Sequence, residues 1–185
     1  MNPILFVTTN EYKFSKAMSN LRQLGIELTH EFLEMKEIQS SSGEEIVRDK
    51  AKQAYEHFKQ PIVVNDDTWS IPALRGFPST GMKLCNDFLI ADDWLRLMHG
   101  IDDRRINLHS YYAYHDGQTI RTIVGKEEKY FLSESRGNYQ KSPCLQVIAK
   151  LGSTTSIAEE IAVDTGAENE NPEFWVKLSN LLKGN

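Results

Sequence analysis

The stretch PIVVNDDTWSIPALRGFPSTGMK, residues 61–83, decides the fold prediction. Residues 62–64 are a short β-branched run, which is typical of a buried strand. Asp66 and Asp67 follow at once. Carboxylates at the end of a buried strand usually hold a cation or a partner, because burying them unpaired is costly. The alternative is an ordinary turn whose acids are solvated, since turns also favour aspartate.

Glycine and proline mark the second half of this stretch. Gly76, Pro78 and Gly81 predict a loop rather than a helix, and Lys83 closes the stretch with a positive charge. A strand that delivers two acids to such a loop is typical of a metal and phosphate site, because divalent cations prefer oxygen ligands.

A second junction of strand and helix lies near the N-terminus. Residues 4–7 indicate a buried strand, and apolar residues at spacings of three and four predict a helix that Gly25 ends. Thr9 or Asn10 is the candidate N-cap. Backbone N–H groups at a helix N-terminus bind anions, and Lys13 would add a charge to the same anion. The alternative is a plain capped helix with a surface lysine.

The rest of the chain shows similar patterns. The remaining predicted elements are a strand over 26–33, helices over 44–58, 88–98 and 174–182, a β-hairpin with strands at 107–115 and 119–124, one more strand at 129–132, a short apolar run at 144–149, and a break at 169–172. Without a repeat, a linker or a clear boundary, we expect one domain over residues 1–185.

Composition and charge bear on the class of protein. The 185 residues are 40% hydrophobic and 25% charged, which is ordinary for a globular domain. The net charge of -5 argues against a general nucleic-acid-binding protein, whereas a local cluster of lysine and arginine could still hold a triphosphate.

Cysteine usage and apolar runs predict a compartment. Cys85 and Cys144 lie far apart, which disfavours a disulfide framework and favours a reducing cytoplasm. No run of residues suits a signal peptide or approaches the roughly 20 apolar residues that span a membrane. The histidines show no metal-ligand spacing, and the common phosphate-binding loops GxxxxGK[ST] and GxGxxG are absent from the sequence.

Three motifs in order, over residues 4–83, resemble those of the inosine triphosphate pyrophosphatase family, enzymes that remove non-standard purine nucleoside triphosphates. The motifs are T-x-N-x-x-K at 8–13, KEIQ at 36–39 followed by EEIV at 44–47 and KA at 50–51, and DDT at 66–68 followed by ALRGFP at 73–78 and Lys83. The resemblance is weaker beyond residue 83.

The resemblance implies a fold and an activity. The expected fold is α/β, with a mixed, twisted sheet flanked by helices in an elongated, two-lobed single domain. The expected activity is metal-dependent hydrolysis of a nucleoside triphosphate to the monophosphate and pyrophosphate, with Mg²⁺ or Mn²⁺ as the cofactor. The expected protein is cytoplasmic and a homodimer, and it binds neither nucleic acid nor membrane.

The resemblance also implies roles for individual residues. Asp67 and Lys13 are the expected catalytic residues, with Asp67 either the base or a second metal ligand. The remaining expected site residues are Glu37 and Asp66 as metal ligands, Thr8, Asn10, Lys13 and Lys83 as phosphate contacts, and Tyr139 as the residue that stacks on the base.

Four departures from the family pattern concern the substrate. Trp69 stands where the family has glycine, Ser79 replaces the second glycine of G-x-P-G, and Ser142 stands where an aspartate is expected. The Ser-His-Arg motif that recognises the base is absent, and Lys177 or Arg136 could have taken over its role. We therefore expect a weaker or redirected base preference. A nucleotide-binding protein without turnover, or a plain interaction domain, remains an alternative.

Overall fold

The structure is a computed structural model that describes residues 3–163 and 171–184. Its strands are β1 (Ile4–Val7), β2 (Leu28–Glu31), β3 (Ile62–Ile71), β4 (Phe77–Ser79), β5 (Arg105–His115), β6 (Ile120–Phe131) and β7 (Ile148–Lys150). Its α-helices are α1 (Glu11–Arg22), α2 (Gly43–Phe58), α3 (Met82–Phe88), α4 (Ala91–Leu97), α5 (Ile157–Ala162) and α6 (Pro172–Lys183). Short 3-10 helices cover Pro72–Leu74 and Pro143–Gln146.

The strands form one seven-stranded sheet of mixed orientation. Its order is β2-β1-β3-β5-β6-β7, and β4 pairs with β3. Strand β1 is parallel to both β2 and β3, whereas the β3–β4 and β6–β7 pairs are antiparallel. The prediction of an α/β fold with a mixed sheet is therefore confirmed.

The described chain divides into two compact units, which contain residues 3–67, 110–125 and 171–184, and residues 68–109 and 126–163. In the first unit, Phe6, Leu21 and Trp175 belong to one hydrophobic cluster, and Val7, Val47 and Val64 belong to another. The single domain over residues 1–185 stays a prediction.

The second unit has its own core. Trp94, which is fully buried, packs with Ile71, Ile106 and Ile148. Trp69 belongs to the same core and is only 9% exposed. The tryptophan that replaces a family glycine is therefore an apolar core residue.

Strand β3 corrects two predictions. It continues to Ile71, so Asp66 and Asp67 lie inside the strand and not at its end. The strand continues because Trp69 and Ile71 are buried and pair with β4. The predicted loop around Pro78 is therefore wrong in part, since this residue lies in β4.

Two further boundaries differ from the predictions. The helix predicted over 88–98 is the shorter α4 (Ala91–Leu97), which begins after Ile90 because the Asp93 carboxylate accepts a hydrogen bond from the Ile90 N–H at 3.1 Å. Phe88 belongs instead to the end of the preceding helix, α3. The separate strand predicted over 129–132 is the end of β6. Of the predicted break at 169–172, residues 169 and 170 lie outside the described residues.

Among residues 3–163 and 171–184, no helix has both the length and the apolar character needed to cross a membrane.

Candidate active site

The turn from β1 into α1 gathers three of the predicted site residues. The Thr8 hydroxyl oxygen accepts a hydrogen bond from the Asn10 N–H at 3.1 Å. The Asn10 side chain caps α1 by accepting from the Lys13 N–H at 3.2 Å. Asn10 is therefore the N-cap rather than Thr9, and the site lies at a helix N-terminus, where the helix dipole and backbone N–H groups favour an anion.

Asp66 and Asp67 point to opposite faces of β3, because side chains alternate along a strand. Val63 packs in the cluster that includes Ala17 of α1, and Val64 packs in the cluster that includes Ala51 of α2. Asp67 shares the α1 face with Val63, and Asp66 shares the α2 face with Val64.

On the α1 face, Asp67 meets Lys13. The Lys13 ammonium lies 2.9 Å from Asp67 Oδ2, and the two side chains are 23% and 22% exposed. The other oxygen, Asp67 Oδ1, is buried and has no hydrogen-bond partner in the described part of the chain. A buried acceptor without a partner is costly, so this oxygen is suited to accept a bond from a ligand, a water or a cation.

On the α2 face, one ammonium joins two carboxylates. Lys50 Nζ donates to Glu37 Oε2 at 2.8 Å and also to Asp66 Oδ1. The Lys50 and Asp66 side chains are mostly buried, at 12% and 15% exposed. Two carboxylate oxygens from a loop and a strand therefore converge on one point of positive charge.

Burial and the contacts within this cluster shift the pKa values of Asp66 and Lys50. Burial raises the pKa of Asp66 above its usual value, and this effect outweighs the nearby Lys50 and Lys13, which lower it. Burial alone would lower the pKa of Lys50, but its contacts with Asp66 and Glu37 raise it overall. The ammonium is thus held in its charged form by the two acids that it joins.

Gln53 of α2 fixes the loop that carries Glu37. Its side-chain oxygen accepts from the Lys36 N–H at 3.0 Å, and its Nε2 donates to the Lys36 carbonyl at 2.7 Å and to Asp49 Oδ2 at 2.6 Å. This two-way bond to the backbone of Lys36 sets the position of the next residue, Glu37.

Two predicted site residues lie in the second unit. Lys83 is exposed on α3. Tyr139 is half-buried, and its carbonyl accepts from the Ser142 N–H at 3.2 Å. The Ser142 hydroxyl accepts from Asn86 Nδ2 at 2.9 Å.

A family model described as the Ham1 family matches residues 4–147, a span that contains every predicted site residue. The chain belongs to the Ham1 family. The resemblance inferred from the three motifs is thereby confirmed.

Relatives of known name agree with the family match. The dITP/XTP pyrophosphatase of Saccharolobus solfataricus is 33% identical over 132 residues, which cover 71% of this chain and 69% of that protein. The dITP/XTP pyrophosphatase of Methanopyrus kandleri is 32% identical over 135 residues, covering 72% of each. The inosine triphosphate pyrophosphatase of Phaeosphaeria nodorum is 31% identical over 134 residues, covering 71% of this chain and 70% of that protein.

Solved structures show the same fold. A HAM1 protein from Coxiella burnetii superposes with a TM-score of 0.72 at 18% identity, covering 100% of both chains. The Ham1 protein of Staphylococcus aureus also gives a TM-score of 0.72, at 13% identity over 97% of this chain and 98% of that one.

Ser79 shows how this Ham1-family chain accommodates a departure from the expected motif. Its φ of 55° lies in the left-handed region that favours glycine, which is the residue expected there. The backbone shape that glycine permits is therefore kept by a serine. The two residues that could have taken over base recognition each form an exposed ion pair: Arg136 with Glu134 at 2.5 Å, and Lys177 with Glu173 at 2.6 Å.

The sequence reasoning missed Lys50 and Gln53. Lys50 is part of a quoted motif but was not placed in the site. Its signal was its position on α2, three residues after Val47 and four before Ala54, which puts a lysine on the buried stripe of the helix. Gln53 gives no such signal, because its role depends on the path of the preceding loop.

Proposed function

We propose that this chain is a metal-dependent nucleoside triphosphate pyrophosphatase that hydrolyses nucleoside or deoxynucleoside triphosphates to the monophosphate and pyrophosphate. The names of its relatives support this activity. The observation that carries the proposal is the pairing of Lys13 with Asp67 and of Lys50 with Glu37 and Asp66 on the two faces of one strand. Cations for phosphates and carboxylates for a metal are what this hydrolysis needs.

The phosphate contacts are assigned to the start of α1. The Thr8 hydroxyl would donate to a phosphate oxygen, and the positive end of the α1 dipole would favour the phosphate charge. Lys13 would add a positive charge there, and Lys83 is proposed to contribute another from α3.

The metal is assigned to the α2 face. Among the described residues, no group of three or more histidine, cysteine or acidic side chains is arranged to hold a metal ion. Two convergent carboxylates nevertheless suit Mg²⁺, which keeps several waters and is usually held by one or two carboxylates together with substrate phosphates. Glu37 and Asp66 would therefore hold Mg²⁺ or Mn²⁺. When bound, the cation would supply charge neutralisation on the phosphates.

Asp67 is the proposed base. Lys13 holds its Oδ2 at 2.9 Å, while Oδ1 is unpartnered among the described residues and can accept a proton from the attacking water. The water oxygen forms a bond to the α-phosphorus, and the bond between the α-phosphorus and the α–β bridging oxygen breaks. Pyrophosphate leaves with that oxygen. The role of second metal ligand is the alternative for Asp67.

Pyrophosphate release from a panel of triphosphates with Mg²⁺ tests the activity. The panel should contain inosine, xanthosine, guanosine, adenosine and pyrimidine triphosphates, with kcat/KM measured for each. Tyr139 would stack on the base, and stacking tolerates every base, so we expect weaker discrimination than a hydrogen-bonding site gives. Strong selectivity for inosine and xanthosine would contradict this expectation.

Absence of turnover on the whole panel would favour a second candidate, a nucleotide-binding protein without catalysis. The absent Ser-His-Arg motif and Trp69 favour this candidate. Calorimetry would then give tight nucleotide binding without product. A thermal-shift screen of nucleotides with and without Mg²⁺ is the quickest first experiment, because a ligand of the native state raises the melting temperature.

We also propose that the protein is cytoplasmic, forms a homodimer and binds no nucleic acid. Exposed apolar side chains on and beside α3 support a subunit contact: Leu84 is 63%, Phe88 77% and Ile90 58% exposed. Light scattering coupled to size exclusion tests the dimer, and F88E should shift it to monomer. A wild-type monomer would reject the assembly.

A further inference from the structure

Residues of strand β2 bond both the N–H and the carbonyl of Thr8. The β1–β2 ladder ends at the pair Val7 and Glu31, and the Thr8 N–H donates to the Glu31 carbonyl at 3.1 Å. The Thr8 carbonyl accepts a hydrogen bond from His30 Nε2 at 2.9 Å. Thr8 is only 7% exposed, so a backbone carbonyl needs a partner there. The His30 side chain supplies that donor just beyond the last rung of the ladder.

The same imidazole also contacts helix α1. The His30 ring stacks on Phe14, with centroids 4.3 Å apart and an interplanar angle of 12°. Phe14 belongs to the first turn of α1, because its N–H donates to the Asn10 carbonyl at 3.2 Å. Phe32 covers His30 as well, at 4.3 Å and 41°. One ring therefore joins the end of β1 to the beginning of α1.

Hydrogen bonds connect this ring to the proposed phosphate contacts. The Thr8 hydroxyl accepts from the Asn10 N–H, the Asn10 side chain accepts from the Lys13 N–H, and Lys13 reaches Asp67. A shift of the Thr8 carbonyl would therefore move the hydroxyl and the helix cap together.

We propose that His30 is a positioning residue for triphosphate binding, because its Nε2–H fixes the Thr8 carbonyl and thereby the Thr8–Lys13 turn. The inference rests on the proposed function for the identity of the ligand. Its direct consequence is for affinity: a turn that is no longer fixed must be ordered when the phosphates bind, and that ordering weakens binding.

Two substitutions separate the hydrogen bond from the stacking. H30F keeps an aromatic ring between Phe14 and Phe32 and removes the donor. H30Q removes the ring and keeps an amide N–H at a similar distance along the side chain. A purely structural His30 predicts that H30Q does more harm, whereas a positioning His30 predicts that H30F does.

The probe is inorganic tripolyphosphate, measured by calorimetry on the purified protein. We expect H30F to raise the Kd for tripolyphosphate about tenfold, because a buried acceptor is left without its donor. The Kd of H30Q should stay within about threefold of the wild-type value. For a nucleoside triphosphate, KM should rise in H30F by a similar factor with kcat little changed, since the phosphates are held in both ground and transition states. T29A, an exposed neighbour on the same strand, is the control and should change neither.

The outcomes separate this inference from the proposed function. A wild-type protein that releases no pyrophosphate would reject the activity, and the tripolyphosphate Kd values would still decide the role of His30. Wild-type binding in H30F, equal losses in H30F and H30Q, or no tripolyphosphate binding by the wild type would overturn the positioning role. H30L is a second donor-free variant if H30F does not fold.

Discussion

The two faces of β3 carry the same residue type in different environments. On the α2 face, Asp66 shares the Lys50 ammonium with Glu37. On the α1 face, Asp67 has Lys13 on one oxygen and no partner for the other among the described residues. Asp66 belongs to a cluster in which one ammonium offsets part of the charge of two carboxylates, and which is suited to bind a cation. Asp67 retains an acceptor suited to take a proton. The neighbours that α1 and α2 bring to the strand make this difference.

The largest effect should come from D67N. The substitution is nearly isosteric, and we expect it to lower kcat about 10³-fold, because a positioned general base contributes roughly 10² to 10⁴. The melting temperature should change little. Turnover equal to wild type would mean that Asp67 is an ordinary polar residue, since asparagine would serve equally well there. Steady-state assays of pyrophosphate release make the measurement.

D66N should affect the metal more than the proton transfer. Removing one of two convergent carboxylates should raise the Mg²⁺ concentration for half-maximal activity at least about tenfold, judged against the 10- to 100-fold typical of weaker, outer contacts. The increase in melting temperature that Mg²⁺ gives with nucleotide should also be lost.

The same thermal measurement on D67N sharpens the comparison between the faces. If D67N keeps the Mg²⁺-dependent increase, the two aspartates have separate roles. If it loses the increase as D66N does, Asp67 is the second metal ligand and not the base.

Q53A should have an effect of the same kind, at the lower end of the range expected for D66N. Without the bonds to Lys36, the loop that carries Glu37 is less well fixed, and we expect the half-saturating Mg²⁺ concentration to rise roughly tenfold. K52A, an exposed neighbour on the same helix, is the matched control and should behave as wild type. An unchanged Mg²⁺ dependence in Q53A would show that Glu37 does not depend on this clamp.

The smallest effect concerns stability and pH. The folded-state pKa of Asp66 lies above its usual value of 3.8. The contribution of this carboxyl is therefore fully present below pH 3.8 and is lost as the pH rises through the folded-state pKa. D66N, which does not titrate, should gain unfolding free energy relative to wild type over that rise. Urea unfolding without metal at a series of pH values measures it, and a difference independent of pH would contradict the burial of Asp66.

The phosphate turn could be predicted from the sequence because its geometry is local. A buried strand that ends in Thr8 and runs into a helix capped by Asn10 depends on residues next to one another in the chain. The carboxylates of Asp66 and Asp67 could likewise be singled out by residue type. Their separation onto two faces could not, because the acids were expected at the end of the strand, and β3 continues only by pairing with β4.

The partners of the acids were less predictable. Lys50 reaches Asp66 across 16 positions and Gln53 reaches Lys36 across 17, and neither pairing follows from a local pattern. Contacts of this kind depend on how whole elements pack, and one sequence carries little signal for them.

Helix α6 has a consequence for the order of events during synthesis. Its side chains Phe174, Trp175 and Leu178 share a core with Ile4 and Phe6 of β1. The first strand therefore leaves the ribosome long before the residues that complete its packing exist, a wait of about 10 to 35 seconds at roughly 5–20 residues per second. Until then the apolar face of β1 and α1 has to be shielded by transient contacts or by a chaperone. We therefore expect the nascent chain to be more prone to aggregation than the folded protein.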